Sequence, residues 1–274
     1  MTGRFTTDRR VRIGAVCYLN ARPLAVALKE VAPNAEIVYD LPSHLADGLA
    51  AGRLDVALIP SIEFFRHPGC TIVSDTCISC DGPVKSVKLF GRVPAEKIRT
   101  LALDEGSRTS ATMARILLKE RFALEPRLEQ LPIGGTLADT AADAVVLIGD
   151  RGILPPQEPF EFIWDLGQEW SHWSGLPFVF AMWIARPGLA PDGLDRLFTA
   201  ARDEGLKRVE LIARQEAARI GISREECLVY LRDNLVFHLG KRQWQGLEMF
   251  CRLAMRHQLA PTGADRVFHD HEVA

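Results

Sequence analysis

The sequence predicts an α/β protein in which two lobes enclose a ligand cleft, and three features indicate this. Apolar runs of strand length alternate with helical patterns between residues 11 and 60, and again between residues 100 and 148. Residues 18–24 and 174–181 each place small polar or glycine residues at the end of an apolar strand. Since ligands bind beyond strand ends in α/β proteins, these two segments indicate one cleft built from distant parts of the chain.

Length and composition exclude several classes of protein. The 274 residues, 47% hydrophobic and 25% charged, have the composition of a globular protein with one large or two modest domains. A formal charge of −2 leaves no basic stripe, so we expect no nucleic-acid or membrane partner. The start of the chain lacks a signal-peptide pattern, and no apolar stretch reaches the roughly 18 residues of a membrane span. We expect a cytoplasmic protein with a small-molecule substrate, and its oligomeric state stays open.

The cysteine pattern favours free thiols over a disulfide framework. Six cysteines are scattered along a chain without export signals. Cys77 and Cys80 have the spacing of a metal or redox pair, but no second such pair accompanies them. Residues 269–272 (His-Asp-His-Glu) can chelate a metal, although a solvated tail is the better interpretation. We therefore expect no metal site.

The first α/β unit follows from the hydrophobic pattern. We expect a buried strand at residues 11–16, a helix at 23–31, a second strand at 36–39 and a fully apolar strand at 56–60. Ser43 has the position of an N-cap for a helix between the last two strands. The chain is therefore expected to begin with a βαβαβ unit.

A second unit of the same kind begins at residue 100. The pattern predicts a strand at residues 100–104, a polar turn at 107–110, a helix at 111–121 and a buried strand at 144–148. Residues 89–94, between the two units, have the character of a crossing segment. Two α/β units joined in this way imply two lobes.

The lobes are expected to be discontinuous in sequence. Lobe 1 comprises residues 11–91 and 180–274, and lobe 2 comprises residues 92–179. Beyond Pro187 the chain carries long helical patterns whose aromatic stripes are typical of a packed core. We interpret these helices as scaffold, over residues 194–221, 224–234 and 241–256.

Eight short strings stand in a specific order along nearly the whole chain. They are GAV running into YLN (14–20), LIPS (58–61), DGPVKSV (81–87), ALD through SRTS (102–110), IGD (148–150), DLGQEW (165–170), SGLPFVFA (174–181) and YLRDN (230–234). Each string is weak alone, but together they resemble the chorismate dehydratases of the futalosine route to menaquinone. The resemblance implies a two-lobe, periplasmic-binding-protein-like (type II) fold with the ligand cleft between the lobes.

Residues after the first strand distinguish the dehydratases from a sister enzyme of similar fold. The sister enzyme, a dihydroxynaphthoate synthase of similar fold, carries a Cys-Pro-Asn-Asp type string where this chain has Tyr18, Leu19 and Asn20. The dehydratase is therefore preferred. The chain departs from the family at Cys17 and Cys80, where small serine-like residues are expected.

The resemblance implies a reaction that needs no cofactor. Chorismate loses water to give 3-[(1-carboxyvinyl)oxy]benzoate, and aromatisation supplies the driving force. The departing ring proton is vinylogous to the ring carboxylate, so donors at that carboxylate stabilise the developing charge. A polar turn at a helix start is an anion site. We assign one substrate carboxylate to Ser107, Thr109 and Ser110, with Arg108 as a further contact.

Asn20 and Ser86 are assigned catalytic roles. The Asn20 amide, after the first strand, can donate to a leaving hydroxyl, although capping the following helix is the alternative. Ser86 and Ser61 are hydroxyls at the ends of apolar runs, where a turn or cap role is the alternative. Asp150 is a candidate base or cap, while His172 is interpreted as a surface or packing residue. The preferred hypothesis is substrate-assisted: the enolpyruvyl carboxylate removes the ring proton while Asn20 and Ser86 assist hydroxide loss.

The remaining predicted substrate contacts come from residues 18–24, from residues 174–181 and from the second lobe. Tyr18 precedes Asn20, and Asp150 completes the set in the second lobe. In the late segment Gly175 permits unusual backbone angles, Leu176 follows it, and Phe178 can form a wall for an aromatic ligand. Simple packing between the lobes is the alternative for these three.

A non-catalytic cytoplasmic binding protein or sensor for a small carboxylate is the alternative function. One scaffold hosts transport, sensing and catalysis, so fold alone does not choose between them. A transport protein is normally exported, and a regulator needs a helix-turn-helix region. Since neither pattern is found in this sequence, the lyase is preferred.

Overall fold

The computed structural model describes residues 10–189, 192–265 and 268, which form two β-sheets flanked by helices. The strands, in chain order, are β1 (Arg12–Val16), β2 (Glu36–Asp40), β3 (Val56–Pro60), β4 (Thr71–Cys80), β5 (Val87–Gly91), β6 (Thr100–Asp104), β7 (Arg127–Leu131), β8 (Ala144–Ile148), β9 (Phe162–Asp165), β10 (Phe178–Ala185) and β11 (Val236–His238). The helices are α1 (Arg22–Ala25), α2 (Leu28–Val31), α3 (Pro42–Ala50), α4 (Ser61–Arg66), α5 (Arg108–Phe122), α6 (Asp150–Ile153), α7 (Leu166–Ser174), α8 (Leu194–Lys207), α9 (Val209–Ile220), α10 (Arg224–Val229) and α11 (Lys241–Arg256).

The first sheet has the strand order β11-β4-β10-β3-β1-β2. Its central strands β3 and β10 are buried along their whole length, as their continuous apolar runs predict. Strand β1 runs parallel to β2 and β3, whereas β10 runs antiparallel to β3 and β4. The carboxyl ends of β1 and β3 therefore lie at one edge of this sheet, where the chain turns towards the second sheet.

The second sheet has the order β7-β6-β8-β5-β9. Strand β6 runs parallel to β7 and β8, and β5 runs antiparallel to β8 and β9. The chain crosses from the first sheet to the second between β4 and β5, and it returns between β9 and β10. An α/β architecture with two sheets is thus confirmed.

One strand differs from the sequence expectation at a crossing. Residues 87–91 form β5 of the second sheet, whereas the sequence predicts a crossing segment at residues 89–94. The apolar residues of this strand pair with β8 on one side and β9 on the other, which makes β5 an interior strand. On the return, β10 begins at Phe178. The division into lobes that close on a ligand remains a prediction.

Two helices also differ in detail. The pattern over residues 23–31 forms two short helices, α1 and α2, rather than one. Ser43 lies inside α3 and not at its cap, because Pro42 occupies the first helical position and Leu41 the cap. Proline suits that position since it lacks an N–H that the first turn leaves unpaired.

All six cysteines are free thiols. Cys77 and Cys80 are buried in β4, and burial raises the pKa of the Cys77 thiol to about 12. Within the described ranges, no group of three or more His, Cys, Asp or Glu side chains is placed to hold a metal ion. The same ranges contain no helix long and apolar enough to span a bilayer. The predicted solvated tail at 269–272 lies outside the described residues.

Candidate functional site

A cleft lies between strand ends of the first sheet and connecting segments of the second sheet. One wall comes from the ends of β1, β3 and β10, and the other from the segments before β5, before α5 and after β8. Much of the lining is apolar, which suits a carbon ring. These apolar side chains are Val16, Ile78, Val84, Val87, Ile148 and Phe180.

The N-terminus of α5 forms the polar end of the cleft. The helix begins at Arg108 rather than at residue 111, so the predicted polar turn is its first turn and Ser107 is its N-cap. The Ser107 side chain caps no N–H group, and its Oγ is buried without a hydrogen-bond partner. The first N–H groups of a helix lack intrahelical partners and carry the positive end of its dipole. Together with the buried Ser110, which also lines the cleft, this end is suited to a carboxylate.

A buried carboxylate shapes the turn before α5. One Asp104 oxygen accepts a hydrogen bond from the Gly106 N–H at 3.0 Å. The other accepts from Arg151 Nη2 at 2.6 Å and from the Ile148 N–H at 3.4 Å. Asp104 therefore joins the end of β6 to the end of β8. Burial raises its pKa, and Arg151 opposes that shift.

Arg108 lines the cleft, but its guanidinium is occupied by acids of the first lobe. Its Nη2 donates to Asp47 at 2.7 Å and its Nη1 to Glu63 at 3.1 Å. Glu63 is nearly buried, with 4% of its side chain exposed, whereas Asp47 is 54% exposed. The contact thus joins α5 to helices α3 and α4 across the cleft.

Thr109 and Ser61 form a second link between the lobes. The Thr109 hydroxyl accepts from the Ile62 N–H at 3.3 Å and lies 3.4 Å from the Ser61 hydroxyl. Ser61 donates to the Val179 carbonyl at 2.7 Å. Thr109 lines the cleft, whereas Ser61 lies behind it and supports its wall.

Asn20 extends the polar lining on the first-lobe side. It lies in a 3₁₀ turn, Leu19–Ala21, and no side chain caps this turn or the following α1. The capping alternative is therefore not what the structure contains. Asn20 Oδ1 is buried and has no hydrogen-bond partner. The side chain is left available to a ligand.

Tyr18 packs directly on the backbone of Gly149. A Cβ at Gly149 would come within 2.9 Å of the Tyr18 ring. Gly149 also has φ 64° and ψ −149°, a conformation that is essentially restricted to glycine. Burial raises the pKa of the Tyr18 phenol, and Asp104 raises it further. Tyr18 is therefore protonated at neutral pH, and its hydroxyl is able to donate a hydrogen bond.

Ser86 is not among the residues that line the cleft, and its catalytic role stays a prediction. Its neighbours Val84 and Val87 face the cleft, while Ser86 is fully buried beside Tyr230 of the π-helical turn Tyr230–Asn234. Lys85, with φ 61°, turns the backbone between these residues. Burial raises the pKa of Tyr230, and the Ser86 hydroxyl opposes that shift. Ser86 thus supports the wall from behind.

Asp150 also lies outside the cleft lining, immediately after Gly149. Its Oδ1 accepts from the Leu19 N–H at 2.9 Å, and its Oδ2 accepts from Arg219 Nη2 at 3.2 Å. Burial raises the pKa of this carboxyl, and the Leu19 and Arg219 contacts oppose the shift. Asp150 is placed to hold the turn that carries Asn20, and not to contact a ligand.

The predicted late segment is mostly structural. Gly175 ends α7 with φ 72°, is exposed, and accepts a hydrogen bond from Arg242 at 3.1 Å. Leu176 packs near Gly246 of α11. Phe178 packs in an aromatic cluster with Trp170, Phe180 and Phe250. His172 is exposed, as predicted.

The lining includes residues that sequence reasoning missed, among them Phe180, Gly106 and Gly149. Phe180 takes the wall position expected of Phe178, because register shifts in β10 turn both Phe180 and Ala181 to the lining. Gly106 and Gly149 contribute backbone to the lining. A signal existed for all three, since each lies inside a string that resembles the family. The alternation of a regular strand does not reveal a bulge.

The lining contains no carboxylate, imidazole or amine among the described residues. Its polar groups are hydroxyls, one side-chain amide, the occupied Arg108 guanidinium and backbone N–H groups. Such a site can bind anions and stabilise developing negative charge. None of the side chains that line it is a general base of ordinary basicity.

Over residues 11–256 the chain matches the family described as menaquinone biosynthesis. It is 31% identical over 256 residues to the chorismate dehydratase of Thermus thermophilus, which covers 87% of this chain and 93% of that protein. The match extends over both sheets and every residue of the cleft.

Solved structures share the architecture. A protein of Archaeoglobus fulgidus has a TM-score of 0.67 at 16% identity, covering 91% of this chain and 98% of its own. The periplasmic aliphatic sulphonate binding protein SsuA of Escherichia coli has a TM-score of 0.61 at 14% identity, covering 94% and 91%. At these identities the likeness shows the fold, and it confirms the predicted periplasmic-binding-protein-like architecture.

Proposed function

Because this chain belongs to the menaquinone biosynthesis family, we propose that it is a hydro-lyase that removes water from chorismate. The product is 3-[(1-carboxyvinyl)oxy]benzoate. The futalosine route as its pathway and the cytoplasm as its location stay predictions.

The observation that carries the proposal is a cleft with anion-binding donors and no protein base. Chorismate has two carboxylates, a cyclohexadiene ring, an ether and a hydroxyl. The α5 N-terminus is suited to a carboxylate, and the apolar lining around Phe180 is suited to the ring. The buried, unpartnered atoms Asn20 Oδ1 and Ser107 Oγ are available to the substrate's polar groups.

The ring carboxylate, in this proposal, binds at the α5 N-terminus. Ser107, Ser110 and the first N–H groups of the helix donate to it. When the proton leaves the ether-bearing carbon, charge moves through the ring double bond into this carboxylate. Donors already aimed at it stabilise the charge without reorganising.

The substrate itself supplies the base. Tyr18 is held protonated, and Asp150 is turned towards Leu19 and Arg219. The enolpyruvyl carboxylate therefore takes the neighbouring ring proton. The electron pair of that C–H bond forms the new ring double bond, the C–O bond to the hydroxyl breaks, and Asn20 donates to the departing hydroxide. The enolpyruvyl carboxyl then passes this proton to the hydroxide, so one chorismate gives one aromatic product and one water.

The first test is turnover of chorismate by the purified, chelator-treated chain, followed by liquid chromatography with mass detection. We expect a product lighter than chorismate by one water, formed well above the spontaneous background. Heat-denatured chain is the control. Tight calorimetric binding of chorismate without product would contradict the lyase and favour the binding-protein alternative. Absence of both would direct attention to the substrate of the sister enzyme.

A further inference from the structure

Asp150 joins the two lobes at the edge of the cleft. It follows β8 of the second sheet, directly after the cleft residue Gly149. Its Oδ1 accepts from the Leu19 N–H at 2.9 Å, between residues 131 positions apart in the chain. The side chain is 21% exposed, so most of it is removed from water.

The amide that Asp150 holds belongs to the turn of Asn20. Leu19 and Asn20 are neighbours in the 3₁₀ turn Leu19–Ala21, and no side chain of the turn's own segment caps it. An N–H group at the start of such a turn has no partner within the turn. Asp150 supplies the missing acceptor from the opposite lobe, and a carboxylate is a stronger acceptor than a neutral oxygen.

The second oxygen of Asp150 is engaged elsewhere. Its Oδ2 accepts from Arg219 of α9, which also contacts Glu216 at 2.6 Å. Both oxygens therefore have partners, and the carboxyl does not line the cleft. This arrangement is unsuited to removing a proton from a ligand, but it fixes the direction of the carboxylate.

We propose that Asp150 is a positioning residue that aligns the Asn20 amide with the ligand when the lobes meet. The inference rests on the proposed function. In it, Asp150 does not contact the substrate but accepts a hydrogen bond from the Leu19 N–H. Without Asp150, the Leu19 N–H at the start of the Asn20 turn loses its acceptor. Because Gly149 and Asp150 are consecutive, the same strand end packs on Tyr18 and holds Leu19.

The test compares two variants of Asp150. Asp150→Asn keeps an oxygen acceptor for the Leu19 N–H, and Asp150→Ala removes it. We expect kcat for chorismate to fall about tenfold in the alanine variant and to recover to within about threefold of wild type in the asparagine variant. Arg224→Gln, which removes an exposed ion pair with Glu210 and leaves both Asp150 contacts intact, is the control and retains kcat. Equal loss of kcat in both Asp150 variants, or wild-type kcat in Asp150→Ala, would overturn the proposal.

A second readout needs no catalysis. In ¹⁵N-labelled chain, the Leu19 amide should lose hydrogen-exchange protection in Asp150→Ala and keep it in Asp150→Asn. Should the wild-type chain leave chorismate unchanged, the proposed function fails while this measurement still decides the contact. Unchanged Leu19 protection in Asp150→Ala refutes the positioning role. Where Asp150→Ala does not fold, loss of kcat in the folded asparagine variant refutes it.

Discussion

Two polar atoms of the cleft, Asn20 Oδ1 and Ser107 Oγ, are buried without hydrogen-bond partners. A buried acceptor or hydroxyl that makes no hydrogen bond costs about 1–3 kcal/mol. A folded chain that keeps two such atoms in one cleft retains them for something other than stability. In the proposed function, the substrate hydroxyl donates to Asn20 Oδ1, and a substrate carboxylate accepts from Ser107 Oγ.

At the residue scale, Asn20→Ala should lower kcat for chorismate about 100-fold, as loss of a single donor to developing charge does in other enzymes. The free energy of unfolding should be unchanged or slightly higher, because the buried oxygen makes no hydrogen bond that is lost. Steady-state kinetics and urea unfolding measure the two effects. Asn34→Ala, at an exposed position, is the control and should change neither.

At the scale of the element, the hydroxyl-rich segment at 107–110 is the first turn of α5 rather than a separate turn before it. The segment is still suited to an anion, because the free N–H groups of a helix start lie along the same residues. Ser107 differs from the N-cap Ser223 of α10, which accepts from the Glu226 N–H at 3.1 Å. One serine stabilises its helix, and the other is left for a ligand.

The two N-cap serines give a matched prediction. Ser107→Ala should raise KM for chorismate about tenfold and leave the free energy of unfolding unchanged or slightly higher, because an unpartnered buried hydroxyl is removed. Ser223→Ala should leave KM unchanged and cost about 1 kcal/mol of stability. Kinetics and denaturant unfolding of both variants provide the check. The same response in the two variants would contradict the anion site.

At the scale of the whole molecule, the lobes meet through polar contacts around the cleft. Arg108 reaches Glu63 and Asp47 from α5, and Asp150 reaches the Leu19 amide from the end of β8. Glu63 also contacts Arg66 at 2.9 Å. A nearly buried carboxylate that faces several cations is costly to neutralise. We infer that Glu63 holds the lobes together, and that Arg108 serves this contact more than the substrate.

Removal of the Glu63 charge should open the cleft. Glu63→Gln should lower the free energy of unfolding by about 3 kcal/mol, raise KM for chorismate, and increase the radius of gyration of the free chain in X-ray scattering. Asp47→Asn removes the other, exposed partner of Arg108 and should shift stability by less than about 0.5 kcal/mol. If the two variants behave alike, Glu63 has no special part in closure.

The sequence by itself determined the fold class, most of the strands and the family. Continuous apolar runs such as β3 and β8 are buried on both faces, so local pattern is enough to reveal them. It also found the segments that meet in the cleft, since Asn20 and residues 107–110 follow strand ends. A buried strand and the turn that follows it can be predicted locally, because both depend on residues that are near neighbours in the chain.

Only the tertiary structure decided which side chains line the cleft. Ser86 and Phe178 lie in correctly identified strings, yet a positive φ at Lys85 and a bulge in β10 turn Val87 and Phe180 to the cleft in their place. The partners of Asp150 come from far along the chain. A change of one residue in strand register reverses a side chain's direction, and no local pattern records the contact that fixes it.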